Sequence, residues 1–136
     1  MNSDNKGSKR VIGQLTPMPS AYTEEAVFSH PGGNAELRCV LEHNGAMYSS
    51  GLRFQRVRAY KYTAESHCKT WQIEHAYDTL VEIEESDWVT DLVMAEPIPE
   101  RRWPWKIRHF LIYVDDAGAY EVAAEGFEWL PEELVR

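Results

Sequence analysis

The chain has 136 residues, of which 43% are hydrophobic, and this is enough to build one domain around a single core. Its net charge of −8 is uneven: residues 1–70 contain nine Lys or Arg and six Asp or Glu, whereas residues 71–136 contain five and sixteen. This balance argues against a general nucleic-acid-coating role, because attraction to phosphates requires a basic surface.

The N-terminal segment Met1–Arg10 is polar and does not have the apolar stretch of a secretory signal. No apolar run approaches the ~20 residues that cross a bilayer. We therefore expect a soluble, cytoplasmic protein with no membrane association. Met1–Arg10 is expected to be a disordered tail, and residues 11–136 a single globular domain. Cys39 and Cys68 are expected to be free thiols.

The first half of the chain predicts short strands joined by turns. Thr23–His30 fits either a capped helical turn or a strand, and the sequence does not decide between them. Apolar alternation from Ala35 predicts a strand, and Asn44-Gly45 then predicts a type I′ hairpin turn. Leu52–Thr63 predicts a further strand, with a bulge or bend after Phe54 because the apolar phase slips there.

The centre of the chain alternates almost perfectly between two sets of residues, which predicts a strand over Trp71–Ile83. The apolar face would consist of Trp71, Ile73, His75, Tyr77, Thr79, Val81 and Ile83. The wet, acidic face would consist of Gln72, Glu74, Ala76, Asp78, Leu80 and Glu82. Ser86 and Asp87 then predict a capped helix from Asp87 to about Ala95, ended by Pro97 and Pro99.

The C-terminal part predicts a second hairpin. Ile107–Val114 is apolar on both faces, as interior strands are. Residues 115–118 supply turn chemistry, and Ala119–Glu125 forms the returning strand. Phe127, Trp129 and Leu130 are expected to cover a sheet edge, and Pro131 to end the ordered structure.

Together these elements predict an α+β fold. We expect a mainly antiparallel, twisted sheet of about six strands that can curl toward a barrel, with one short helix near residues 87–95.

No motif identifies a chemistry. His67, Cys68, His75 and His109 are possible zinc ligands, but their spacing matches no usual structural pattern. Cys68 beside His67 does not resemble a catalytic pair, because neighbours on a strand point to opposite faces. The carboxylates near the turns and the helix start have sufficient local explanations. We therefore predict no catalytic residues, no metal and no cofactor. Arg101–Lys106 interleaves cations with aromatics, as base-stacking surfaces do, but we favour a surface loop whose tryptophans close one end of a sheet.

Two classes of function remain. The first is a non-enzymatic protein-binding module, such as an inhibitor, immunity-type or adaptor protein. It would dock a basic protein through the acidic surface that contains Glu82, Glu84 and Asp87. The second is a small-ligand-binding domain or a modest enzyme with an aromatic-lined pocket inside a curled sheet. That pocket would be lined by Tyr60, Tyr62, Trp71, His75, Tyr77 and His109. The sequence does not indicate an oligomeric state.

Overall fold

The computed structural model describes residues 7–22, 24–95 and 106–135. The strands are β1 (Lys9–Gln14), β2 (Ala21–Tyr22), β3 (Val27–Ser29), β4 (Ala35–His43), β5 (Ala46–Gln55), β6 (Ala59–Ala64), β7 (Thr79–Ile83), β8 (Arg108–Val114), β9 (Gly118–Ala124) and β10 (Gly126–Val135). The helices are α1 (Thr70–Ile73), preceded by a 3₁₀ turn at Glu65–His67, and α2 (Asp87–Met94). Within these described ranges no helix is both long and apolar enough to span a membrane.

The strands form two antiparallel sheets of five strands each. The first sheet has the order β1-β7-β8-β9-β6. The second has the order β10-β5-β4-β2, and β3 also pairs with β4. The predicted antiparallel α+β character is therefore confirmed. The expectation of one curled sheet of about six strands is wrong, because the described strands divide into two sheets and neither closes into a barrel.

The main core lies between the inner faces of the two sheets, where Phe54 of β5 and Phe110 of β8 meet with ring centroids 5.6 Å apart. A second apolar cluster covers the outer face of the first sheet and contains Val81, Leu111 and Tyr113, with Trp71 packed against it. Strands β8 and β9 are thus covered on both faces. This is why their sequences are apolar on both sides.

Both predicted hairpins are present. Asn44 and Gly45 have φ values of 52° and 82°, the left-handed conformations that a type I′ turn requires. The second hairpin joins β8 to β9, with Val114 opposite Gly118. The predicted helix is also confirmed as α2. The Oγ of Ser86 accepts a hydrogen bond from the N–H of Val89 at 3.1 Å, which caps the first turn.

The predicted strand Trp71–Ile83 is wrong over its first eight residues, and only Thr79–Ile83 is a strand. The Oε1 of Gln72 accepts the N–H of Lys69 at 2.8 Å, which favours the helical turn α1 over an extended backbone. His75 and Asp78 then have φ values of 65° and 50°, which a strand does not accommodate. As a result Gln72 is buried and His75 is exposed, the reverse of the predicted faces.

Two other strands have different bounds in the structure from those that the sequence predicts. Leu52–Thr63 is divided between β5 and β6, because Arg56 has a φ of 54° and ends the first strand. Pro131 does not end the ordered structure: β10 passes through it at a register shift between Leu130 and Glu133. The lost proline N–H is tolerated at such an irregularity on an edge strand.

The open alternative in the first half is decided in favour of a strand, β3, which pairs with β4. The predicted tail Met1–Arg10 is only partly described: Lys9 and Arg10 belong to β1 and pair with Ile83 and Glu82. Pro97 and Pro99, which are expected to end the helix, lie outside the described residues. Of Arg101–Lys106, the structure describes only Lys106.

Candidate functional site

The residues predicted to line one aromatic pocket are dispersed in the fold. Tyr60 lies on β6 against Phe28, with ring centroids 4.8 Å apart. Two other tyrosines have different ring partners: Tyr62 contacts Tyr120, and Tyr77 contacts Tyr113. Trp71 packs on the outer face of the first sheet. Of the two histidines, His75 is exposed and His109 is buried. The six residues do not surround a common cavity.

The predicted acidic docking residues are also not equivalent. Glu82 is only 6% exposed and forms ion pairs with Arg10 and Arg108, the latter at 2.8 Å. Burial alone raises the pKa of Glu82, but the hydrogen bonds and charges of these two arginines outweigh it and lower the pKa. Glu82 therefore has cationic partners inside the molecule, whereas Glu84 and Asp87 are exposed.

The possible zinc ligands do not converge either. His67 is exposed and its Nδ1 lies 3.1 Å from the Oγ of Ser66. The Sγ of Cys68 donates to the carbonyl oxygen of Thr63 at 3.4 Å.

An open cleft of about 440 Å³ lies where the β2–β3 connection faces the β8–β9 turn. We call it the tyrosine cleft. It is lined by Tyr22, Glu24, Glu25, Ala26, Tyr62, Val114, Asp115, Asp116, Ala117 and Tyr120. Four of these side chains are carboxylates and three are tyrosines, and the described lining contains no lysine or arginine. The cleft therefore combines negative charge with aromatic surface.

Hydrogen bonds hold the two sides of the tyrosine cleft together. The hydroxyl of Tyr22 donates to the Oδ1 of Asp78 at 2.6 Å, and the N–H of Asp115 donates to the same oxygen at 3.2 Å. The hydroxyl of Tyr62 donates to the carbonyl oxygen of Ala117 at 2.6 Å, which fixes its ring against the turn. Asp78 thus links β2 to the β8–β9 turn, so the cleft walls are positioned before any ligand arrives.

Local electrostatics favour the neutral phenols of Tyr22 and Tyr120 in the cleft. Burial is the largest cause that raises the pKa of Tyr120, to about 12. Burial, followed by the hydrogen bond to Asp78, also raises the pKa of Tyr22. Neutral phenol rings have electron-rich faces, which attract cations.

A group of carboxylates beside the cleft could hold a cation. Carboxylate oxygens of Glu65, Asp115 and Asp116 all lie within 4.8 Å of one another. The hydroxyl of Tyr113 donates to the Oε2 of Glu65 at 3.1 Å and orients it. Oxygen ligands of this kind suit Ca²⁺ or Mg²⁺, and exposed acidic groups are also common without a bound ion.

A separate polar network lies buried beneath α2, on the outer face of the first sheet. The Oγ of Ser86 lies 2.8 Å from the Nδ1 of His109, and the Nε2 of His109 lies 2.9 Å from the Oε1 of Glu121. The Nε2 of Gln72 donates to the Oε2 of Glu121 at 3.1 Å. Burial alone raises the pKa of Glu121, but the hydrogen bond and charge of His109, helped by Lys61 and Gln72, lower it.

Sequence reasoning missed this network, although part of its signal was present. The β8–β9 register follows from the turn and places His109 opposite Ala123 and Leu111 opposite Glu121. His109 and Glu121 are therefore diagonal neighbours on one face, within reach of each other. The contributions of Ser86 and Gln72 depend on how the helices pack.

Comparison of this chain with family models, with curated proteins and with solved structures gives no match.

Proposed function

We propose that this protein is a protein-binding module and that its tyrosine cleft receives lysine or arginine side chains of a basic partner. The observation that carries the proposal is the lining of the cleft: four carboxylates and three tyrosines, with no basic side chain among the described lining residues. Carboxylates supply charge and directional acceptors, and tyrosine faces supply cation–π attraction.

The size and openness of the cleft favour a side chain presented by a larger partner. A cleft of about 440 Å³ accommodates one or two long side chains, and a single cation over an aromatic face contributes about 0.5–2 kcal/mol. Useful affinity therefore requires further contacts around the cleft. The excess negative charge of residues 71–136 would speed association with a basic surface.

The tyrosine cleft suits this role better than the surface that contains Glu82, Glu84 and Asp87. Glu82 is neutralised by Arg10 and Arg108, and Glu84 lies 3.6 Å from the Nε of Arg10. A partner's cation would compete with these arginines. In the cleft, Glu24, Glu25, Asp115 and Asp116 meet no described lysine or arginine in the lining.

The test compares two double variants that remove the same charge from different surfaces. Asp115→Asn with Asp116→Asn changes the tyrosine cleft, and asparagine tolerates the φ of 67° at Asp116. Glu84→Gln with Asp87→Asn is the matched control on the originally predicted surface. The probe is a fluorescein-labelled arginine-glycine repeat peptide, and fluorescence anisotropy measures its binding.

We expect binding that weakens with added salt, is reduced about tenfold or more by the cleft variant, and changes by less than about threefold in the control. Equal losses in the two variants would show that net charge, and not the cleft, attracts the peptide. Losses confined to the control would restore the surface around Glu84 and Asp87 as the binding site. Tetramethylammonium, added as a competitor, distinguishes recognition of a small cation from recognition of a peptide.

A further inference from the structure

The buried network beneath α2 contains a serine, a histidine and a glutamate, and hydrogen bonds join the serine to the histidine and the histidine to the glutamate. We propose that Ser86 is an activated nucleophile with His109 as its general base, and that this second site accepts small acyl esters. The site is separate from the tyrosine cleft and does not depend on the proposed binding function.

The donors and acceptors of this network are consistent with a neutral His109 that accepts the proton of Ser86. The side-chain amide Nε2 of Gln72 donates to the Oε2 of Glu121. Because an ionised Glu121 only accepts hydrogen bonds, the Nε2 of His109 carries the proton that the Oε1 of Glu121 accepts. The Nδ1 of His109 is then an acceptor, and it receives the hydroxyl proton of Ser86 at 2.8 Å. The Oγ of Ser86 also accepts the N–H of Val89 at 3.1 Å, which holds the hydroxyl at the start of α2.

The arrangement has the parts of a nucleophile, a base and an orienting acid. Glu121 is 3% exposed and His109 is 1% exposed, so their interaction is shielded from water. The ring of Trp88 packs edge-on against His109 at 4.9 Å between centroids, and the Nζ of Lys61 lies 4.4 Å from the centroid of Trp88. This packing fixes the orientation of the imidazole.

Ser86 also lies at an opening. It contributes to the wall of a cleft of about 670 Å³, between the end of β7, the start of α2 and residues 106–109. The residue before it, Glu85, has a φ of 56°, and this sharp turn takes the chain from strand to helix. The N–H of Val89 is donated to Ser86 itself, but the N–H groups of Asp87 and Trp88 lack acceptors within the helix and can stabilise a developing oxyanion.

The chemical step balances without a cofactor. The Oγ of Ser86 attacks the acyl carbon while its proton moves to the Nδ1 of His109, and Glu121 stabilises the imidazolium. The ester C–O bond breaks, and the departing alcohol takes the proton from His109. Water, activated by His109, then hydrolyses the acyl group and returns the proton to Ser86. Because Ser86 is only 6% exposed, the acyl group must be small, of the size of acetyl.

The first test labels the unmodified protein with a small alkyl fluorophosphonate and locates the adduct by peptide mass spectrometry. The Oγ–P bond forms, the P–F bond breaks and fluoride leaves. We expect one adduct, on Ser86. Ser66→Ala, at an exposed serine, should label normally, and His109→Gln should label at least about tenfold more slowly. Absence of an adduct, or an adduct on another residue, would overturn the proposal.

The second test does not depend on the fit of the phosphonate. In Ser86→Cys, the two native thiols are internal controls: Cys39 is buried, and burial, as the largest cause, raises the pKa of Cys68. We expect iodoacetamide to modify position 86 about tenfold or more faster than Cys68 at neutral pH. Glu121→Gln should shift the pH profile of this reaction, which a purely structural role would leave unchanged. A rate no higher than that of Cys68, or an unshifted profile, would refute activation.

Discussion

Replacing Gln72 with Ala tests the most consequential difference between sequence and structure. A strand over Trp71–Ile83 would place Gln72 on a wet face, where truncation has little effect. In the structure Gln72 is 6% exposed and donates to Glu121 at 3.1 Å and to Thr63 at 3.2 Å. A hydrogen bond to a charged group contributes about 1.5–3 kcal/mol, and its loss leaves a buried carboxylate with one donor fewer.

We therefore expect Gln72→Ala to lower the free energy of unfolding by about 2–3 kcal/mol. With an m value of about 2 kcal/mol/M, the urea midpoint would fall by about 1–1.5 M. Glu74→Ala is the matched control: its carboxylate is exposed, so the change should be within about 0.5 kcal/mol. Equal midpoints for the two variants, measured by tryptophan fluorescence, would contradict both the burial of Gln72 and the buried network.

Three further predictions concern stability. Ser86→Ala should cost about 0.5–2 kcal/mol by removing the cap of α2, whereas Ser66→Ala, which removes no such cap, should unfold at the midpoint of the unmodified protein. Gly51→Ala should prevent stable folding, because a Cβ there would meet the carbonyl oxygen of Leu37 and φ is 151°; a normal thermal transition in this variant would contradict the β4–β5 packing. The folded-state pKa of Glu121 lies below its ordinary value of 4.5, so its stabilising contribution is present above that pH and lost as the pH falls through the folded-state pKa. Glu121→Gln should flatten this acid dependence in urea titrations, and an unchanged slope would count against the His109 pairing.

The elements that the sequence predicts correctly have local causes. Asn44 and Gly45 prefer the left-handed conformations of a type I′ turn wherever they occur, and Ser86 caps the turn that follows it. Interactions between residues two to four positions apart are sufficient to specify these features. Their partners in the rest of the fold do not have to be known.

The segment from Trp71 to Asp78 could not be predicted in the same way. Its apolar alternation is typical of a strand, but helix α1 depends on a side-chain cap by Gln72 and on distant groups. The Nζ of Lys9, on β1, donates to the carbonyl oxygens of Trp71 and Glu74. Such contacts override a periodic pattern, because they satisfy backbone groups that a strand would pair differently.

The two candidate sites differ in what the sequence could reveal. The juxtaposition of His109 and Glu121 follows from the register of one hairpin. The tyrosine cleft joins Glu24 and Glu25, which precede β3, to Asp115 and Asp116, which follow β8. These segments are distant along the chain and connect strands of different sheets, so only the packing of the two sheets brings their charges together.

The central claim is that the tyrosine cleft binds cationic side chains, and an NMR titration of ¹⁵N-labelled protein with the arginine-glycine peptide tests it most directly. We expect saturable amide shifts concentrated in residues 24–26 and 115–117 at both ends of the cleft. The shifts should disappear in Asp115→Asn with Asp116→Asn and remain in Glu84→Gln with Asp87→Asn. Shifts spread over all exposed acidic residues, or centred on Glu84 and Asp87, would contradict the account.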